Sequence, residues 1–337
     1  MKKVIRAICV FSDQASSQEI KNLEKVSQLL EEIGFSIQTR RICVSGYRTH
    51  INDKELLGKG VLLGLGEQTF EKAEEHLADF LVSENKAISV DLTNENITTT
   101  HVDFLFKIIE SKPDNTFRFT YGFNVPVSSP YFPSVKFGKK GFSVGLQPTD
   151  LSEDCKSIAE WLEKMKVAWE EIDLLLKSVD GYLGIDSSIA PLFQGSSSLV
   201  HFVKRLGLEF SYSATTDIYT TLSKFIKENN PKPIGLCGLM FPCLEDFELA
   251  DEYEEGNFNI ERNIFLSLHS GLGIDTYPIA VNQNRGRVVE ILKLLQNLSN
   301  KYKKPLSARF VSDGKAKIGE KTNFRNQYLK DVIIRRL

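Results

Sequence analysis

Short apolar runs alternate along the chain with longer segments in which apolar residues recur every three or four positions. "KVIRAICVF" (3–11) predicts a strand. "SSQEIKNLEKVSQLLEEIG" (16–34) predicts a helix, with Ile20, Leu23, Val26, Leu30 and Ile33 on one stripe and Gly34 as its stop. Further strands are expected at "FSIQTRRICV" (35–44), "VLLGLGE" (61–67), "AISVDL" (87–92), "FRFTYGF" (117–123) and "GFSVGL" (141–146). Helices are expected through "EKAEEHLADFLVSEN" and "HVDFLFKIIES", and roughly from Glu153 to Val179. "YLGIDSSIAP", "PIGLCGLMFP" and "YPIAV" are strand candidates, "RVVEILKLLQNLSNKYKK" is helical, and "LSARFVSDG" and "LKDVIIRRL" look extended.

Continuous apolar strands alternating with helices argue for an α/β fold with a largely parallel sheet, open or closed into a barrel. No low-complexity linker and no strong repeat divides the chain, so residues 1–337 are expected to form a single α/β domain. It carries a loop with three prolines near 124–140 and an extended C-terminal tail near 314–337. A chain of 337 residues can bury a large core.

The formal charge of −2 provides no concentrated basic face, so nucleic acid is not an expected partner, and Arg335 and Arg336 read as a solvated tail. The first residues contain Arg6 and end their apolar run at Ser12, too short and interrupted for a signal segment, and no run approaches a membrane span. Five cysteines, an odd number, scattered at 9, 43, 155, 237 and 243, do not make a disulfide framework. A reduced, cytoplasmic protein is the expectation, with a small-molecule ligand as partner and a homo-oligomer left open.

Three loops carry candidate chemistry. In "GIDSSIAPLFQGSSS", Asp186, Ser187 and Ser188 follow a strand, and Ser196, Ser197 and Ser198 open the next helix. Hydroxyls and N–H groups at a helix start suit an anion, although Ser196 also reads as a plain N-cap. Asp186 lies between apolar neighbours and must have a partner. In "GLCGLMFPCLEDFELADEY" (235–253), the C-x5-C spacing is poor for zinc, and Cys237 suits core packing better than nucleophilic chemistry. Glu245 and Asp246 follow that run, where they fit acid/base or cation-binding roles, or the acidic start of a helix. In "HSGLGIDTYPIA", Gly271 and Gly273 permit sharp turns, and Asp275 precedes the next run. "GKGVLLGLG" matches neither nucleotide fingerprint.

The stretches "SPYFPSVKFGKKGFSVGLQPTDL", "LGIDSSIAPLFQGSSSL", "GLMFPCLEDFELA" and "SGLGIDTYPIA", with the opening "VIRAICVFSD", resemble the uncharacterised domain of unknown function 711 family. The resemblance implies a ten-stranded α/β barrel of the pyruvate formate-lyase-like (glycyl radical enzyme) kind, built from two antiparallel halves, with no established activity. It places Asp186, Ser188, Pro191, Glu245, Asp246, Gly273 and Asp275 on motif positions near the barrel centre. Glycyl radical chemistry itself does not follow. Val44-Ser45-Gly46-Tyr47 sits in the N-terminal region, and "NFRNQYLKDVIIRRL" at the C-terminus contains no glycine.

Two readings of function remain open on the sequence. One is an enzyme for a small polar or anionic metabolite, with Asp186, Glu245, Asp246 and Asp275 as acid/base groups or holders of a divalent cation, and Ser187, Ser188, Ser196 and Gly273 on the ligand. The other is a non-catalytic metabolite-binding or regulatory protein using the same pocket. The acids would be purely structural if they only cap helices and satisfy buried donors.

Overall fold

A computed structural model describes residues 3–45 and 53–337. Its strands are β1 (Lys3–Ser12), β2 (Phe35–Ile37), β3 (Arg40–Val44), β4 (Val61–Gln68), β5 (Lys86–Asp91), β6 (Phe119–Phe123), β7 (Gly141–Leu146), β8 (Tyr182–Asp186), β9 (Gly273–Pro278) and β10 (Leu306–Val311). They form one ten-stranded sheet in the order β8-β7-β1-β3-β4-β5-β6-β10-β9, with β2 also pairing β1. Every pairing is parallel except β1 with β7 and β6 with β10. The sheet therefore consists of β1–β6 running one way and β7–β10 running the other. Among the described residues, no helix is long and apolar enough to cross a membrane.

Most predicted elements form, with boundaries moved for local reasons. The first helix is Ser17–Glu32, capped by Ser16 accepting from Gln18 N, and Gly34 follows it at φ 90°. "FSIQTRRICV" is two strands rather than one, both paired parallel to β1. The helix expected after β4 breaks at His76 into Phe70–Glu75 and Leu77–Val82. The long helix is shorter than its periodicity suggests, Ile158–Leu176, with Ser157 accepting from Glu160 N at its start. "PIGLCGLMFP" is not a strand: Gly235 and Cys237 take φ values of 75° and 42°, which extended backbone cannot accommodate. "LKDVIIRRL" is likewise no strand, with one isolated antiparallel bridge from Lys321 to Ile333.

The segment 233–243 still does a strand's connecting work. Isolated parallel bridges join Pro233 to Ile185 and Leu239 to Ile189 on the β8 side, and Leu239 to Gly271 and Pro242 to Asp275 on the β9 side. It thus lies between the two edge strands of the sheet.

Period-two alternation divides the sheet residues between two environments. Ile8, Val10, Ile42, Val44, Leu63, Leu65, Ile88 and Val90 join helix residues such as Leu23 and Val26 in the main core. Cys9, Phe11, Cys43 and Leu183 belong to a second cluster with Val135, against which Phe132 and Phe137 pack. Those last three residues come from the proline-rich loop, which lies against the face away from the helices. The Ser143 hydroxyl donates to Ser128 O at 2.8 Å, Arg41 donates to Pro130 O at 2.8 Å, and the Tyr131 hydroxyl donates to Leu146 O at 2.8 Å. One loop thereby touches β3, β7 and the end of β8, and acts as a plug.

Glycine makes room for it. A Cβ on Gly64 would lie 2.6 Å from Phe132 Cζ, and one on Gly145 would lie 2.8 Å from the Tyr131 ring. We expect Gly64→Ala to destabilise the fold by about 1–3 kcal/mol through overpacking, read as a lowered urea midpoint. An unchanged midpoint would show that the plug does not pack against β4.

Candidate functional site

Where the plug ends, a cavity of about 370 Å³ remains, floored by Tyr131, Phe132, Pro133 and Ser134. Arg6, the N-terminal ends of β3–β5, Phe117 and Arg118 before β6, Ala190, Pro191, residues of the segment 236–245, β9, β10 and Tyr328 line the rest. Much of the wall is apolar, including Val61, Ala87, Met240, Leu272 and Leu306. Tyr328, from the C-terminal segment, lies between Phe117 and Phe193 with centroid separations of 6.4 and 5.7 Å, both near-parallel stacks.

Into this apolar space project charged groups that are almost completely shielded from bulk solvent. Arg6, Arg41 and Arg309 are 9%, 6% and 7% exposed, and Glu245 is 4% exposed. They form a chain. Arg6 donates to Gln38 Oε1 at 3.1 Å and pairs with Glu245 Oε1 at 3.3 Å. The other oxygen of Glu245 takes Arg309 Nη2, and Arg309 Nε donates to Asp275 Oδ1 at 2.5 Å. Arg309 Nη1 reaches Phe117 O at 3.3 Å, and the guanidinium lies 5.3 Å over the Phe117 ring. Burial opposes the charge on Arg309, but Asp275 and Glu245 outweigh it and raise its pKa. Ion pairs this deep regain their desolvation cost only when the geometry satisfies both partners, and removing one partner strands the other.

A local irregularity aims Asp275 at its partner. Ala308 pairs with Ile274 and Phe310 with Tyr277, so Arg309 alone opposes Asp275 and Thr276. This is a bulge, with Thr276 at φ 39°, a conformation that β-branched residues rarely adopt. Gly273, two residues earlier at φ 103°, could carry no side chain, since a Cβ would sit 2.2 Å from Ser307 O.

Arg41 differs from the other two arginines. Its Nε donates to Thr39 Oγ1 at 3.1 Å and its Nη1 to Pro130 O, and it lies 5.0 Å over the Phe132 ring. Among the described residues no carboxylate pairs with it, and its Nη2 donates to nothing. Burial, then the neighbouring Arg6, lowers its pKa to about 10, so it stays protonated at neutral pH.

Four of the candidate residues from the sequence meet here: Pro191, Glu245, Gly273 and Asp275 line the cavity. The others lie in its supports. Asp186 accepts five hydrogen bonds, from Ser129 Oγ at 2.7 Å, Ser188 N at 3.1 Å, Ser188 Oγ at 2.5 Å, Leu236 N at 2.8 Å and Cys237 N at 3.0 Å. Burial raises its pKa against those donors. Ser187 donates to Ile226 O at 2.7 Å, and Ser188 Oγ also accepts from Gly238 N at 3.1 Å. Ser196 lies in the short turn Gly195–Ser197, and the residue that caps the helix Leu199–Arg205 is Ser198, accepting from His201 N. Asp246 points away from Glu245 and caps the helix Phe247–Glu255, accepting from Glu248 N and Leu249 N, and from Leu199 N at 3.0 Å. The two adjacent acids thus divide the alternatives between them: one faces the cavity and one starts a helix.

Cys237 and Cys243 are free and buried. Burial, with Asp186 nearby, pushes the Cys237 thiol up to about 11, and burial raises Cys243 too. No group of three or more His, Cys, Asp or Glu side chains among the described residues is placed to hold a metal. Of the Val44–Tyr47 tetrapeptide, Gly46 and Tyr47 lie outside the described residues.

What the sequence reading missed are the arginines and Tyr328. The signal was present as Arg6 inside "KVIRAICVF" and Arg309 inside "LSARFV", while Arg41 follows Arg40 at the head of "RRICV". A buried arginine in a strand demands an acceptor, which is a functional or structural pointer in its own right.

The family model described as uncharacterised ACR (DUF711) matches residues 82–325. The chain belongs to that family. The matched stretch includes the plug, Asp186, Glu245, Asp275 and Arg309, while Arg6 and Arg41 precede it. No curated protein matches the chain. A candidate prephenate dehydrogenase from Corynebacterium glutamicum aligns at 10% identity over 66% of this chain and 62% of its own, with a TM-score of 0.18. The chain thus spans under two thirds of that protein, and a likeness this low carries no argument.

Burial pushes the pKa of Asp246 up to about 7, despite the donors around it. The folded state therefore holds this proton more tightly than the unfolded chain does. The associated stability is present at low pH and is lost as pH rises toward 7. We expect unfolding free energy in urea to fall between pH 5 and pH 7.5, and Asp246→Asn, which cannot ionise, to flatten that fall by about 1 kcal/mol or more. An equal fall in the variant would assign the pH dependence to other groups.

Proposed function

We propose that the protein is an enzyme that binds a small organic anion in the central cavity, with Asp275 exchanging a proton with the ligand. The observation that carries this reading is the imbalance of buried charge: Arg6, Arg41 and Arg309 face the cavity with, among the described residues, only Glu245 and Asp275 to answer them. An enclosed apolar site with a surplus of guanidinium draws an anion from water, because that anion removes an uncompensated charge. Arg41 is the seat. Glu245 uses both oxygens on Arg6 and Arg309 and so positions them. Asp275 uses Oδ1 on Arg309, and Oδ2 accepts no hydrogen bond from the described residues, which makes it the carboxylate available to a substrate.

Glu245 and Asp275 are engaged by guanidinium groups, so a divalent cation would have to displace Arg309 to reach both. The same engagement favours a second reading, a non-catalytic binding protein in which the acids only hold arginines in place. In either case we read the sheet as closing into a barrel through the segment 233–243, with the pyruvate formate-lyase type of organisation suggested by its two opposed sets of strands. Five free thiols suit a reducing compartment such as the cytoplasm.

Mass spectrometry of gently purified protein should show a bound organic anion, and its deuterium content after incubation in D2O reports proton exchange. Asp275→Asn is expected to keep the ligand bound and to slow exchange by roughly 100-fold or more, the scale of general acid–base assistance. Exchange as fast as in the unaltered protein, or none in either, would leave the binding-protein reading. Arg41→Gln is expected to purify without the anion. Retention of the anion there would remove the seat.

A further inference from the structure

The cavity also constrains which anion it takes, and this inference rests on the anion reading above and narrows it. We propose that the ligand is a monocarboxylate with an apolar body, its carboxylate on the free Nη2 edge of Arg41 and its body along the wall formed by Val61, Ala87, Met240, Leu272 and Leu306. The first argument is charge. Among the described residues, the guanidiniums of Arg6, Arg41 and Arg309 stand against the carboxylates of Glu245 and Asp275, which leaves one positive charge of this group unmatched. Arg118 also contributes to the wall, but its guanidinium donates to Lys86 O and to Ser83 O, each at 2.7 Å, and lies 5.8 Å over the Phe80 ring in the helix-side core. Its donors are thus engaged at the rim, apart from the chain of ion pairs that Arg6, Glu245, Arg309 and Asp275 form. A monoanion therefore neutralises the cavity, whereas a dianionic phosphate monoester would leave an unpaired negative charge in an apolar enclosure, which is costly.

The second argument is donor geometry. Arg41 cannot swing to meet a ligand, because Thr39 and Pro130 already hold its Nε and Nη1 and the Phe132 ring lies beneath it. It offers one fixed N–H edge. That suits one planar carboxylate and falls short of the several donors that phosphate oxygens require. Arg6 is close enough to depress the Arg41 pKa, so a second positive charge flanks the same seat. The third argument is shape. About 370 Å³ is near the lower end of the roughly 300–1,000 Å³ found for small-molecule sites, and most of this wall offers no hydrogen bond to a polyhydroxylated body.

Calorimetric titration of the full chain tests this with benzoate, phenylacetate and hexanoate, with benzamide and hexanamide as neutral counterparts, and with phenyl phosphate and inorganic phosphate. At least one carboxylate is expected to bind, with its amide weaker by about 30-fold or more, the loss of one charge-assisted hydrogen bond. Arg41→Lys should weaken the carboxylate by about 10-fold or more, since it keeps the charge but loses the fixed edge. Circular dichroism of that variant establishes that it folds, and the ligand series on the unaltered protein needs no variant. Phenyl phosphate binding more tightly than every carboxylate would overturn the monocarboxylate class while leaving an anion site. Amides binding as tightly as their acids would overturn the anion reading itself. No carboxylate binding up to about 10 mM would overturn the class, and unchanged affinity in Arg41→Lys would overturn the seat.

Discussion

The carboxylate of Asp186 holds together three parts of the chain that have no regular ladder between them. It takes hydrogen bonds from the end of β8, from the turn at Leu236 and Cys237, and from Ser129 of the proline-rich plug. All of these donors but the Leu236 N–H are buried, and a buried donor left unsatisfied costs about 1–3 kcal/mol. Gly235 permits the arrangement by having no Cβ, since one would lie 2.4 Å from Asp186 Oδ2. The plug and the segment 233–243 keep their places because of this one side chain, and the cavity is the space left between them.

The same logic extends into that space. Buried guanidiniums on β1 and β10 meet carboxylates from the 236–245 segment and β9, so the charged chain ties opposite sets of strands together across the interior. Such a chain is a poor source of stability compared with apolar packing of the same volume. It lies beside an interior cluster of Cys, Phe, Val and Leu side chains. The Arg309 bulge and the left-handed Thr276 are strained features at the same place, which is where strain is found when it serves a site.

Much of the architecture was legible in the sequence because the outward face of β1, β3, β4 and β5 is aliphatic and its helices have clean apolar stripes. The segment 233–243 was not, because a run such as "PIGLCGLMFP" reads as a strand by composition while two residues of positive φ forbid the ladder. The site was half legible. Glu245 and Asp275 stand at the edges of apolar runs, where a carboxylate attracts notice. Arg6 and Arg309 sit inside such runs, where a lone charge reads as an interruption until the facing strand is known, and Arg41 is masked by Arg40 beside it. Asp246 illustrates the opposite hazard, since adjacency to Glu245 in sequence says nothing about direction when the chain turns into a helix between them.

The plug occupies residues 124–140, after β6 and before β7. Strands β1–β6 pair mostly with sequence neighbours, but β7 returns to β1 and β10 returns to β6 over long stretches of chain. Local pairings form quickly, and distant ones wait on the entropy of closing large loops. A nascent chain therefore has its first parallel strands and its plug in hand before the partners of Ser129 and Tyr131 in the later strands have been synthesised. The interior is furnished first and walled in afterwards. A side chain that obstructs the plug consequently does its damage at the stage when half the sheet still has open edges, and the outcome to expect is aggregation during synthesis as well as a weaker finished fold.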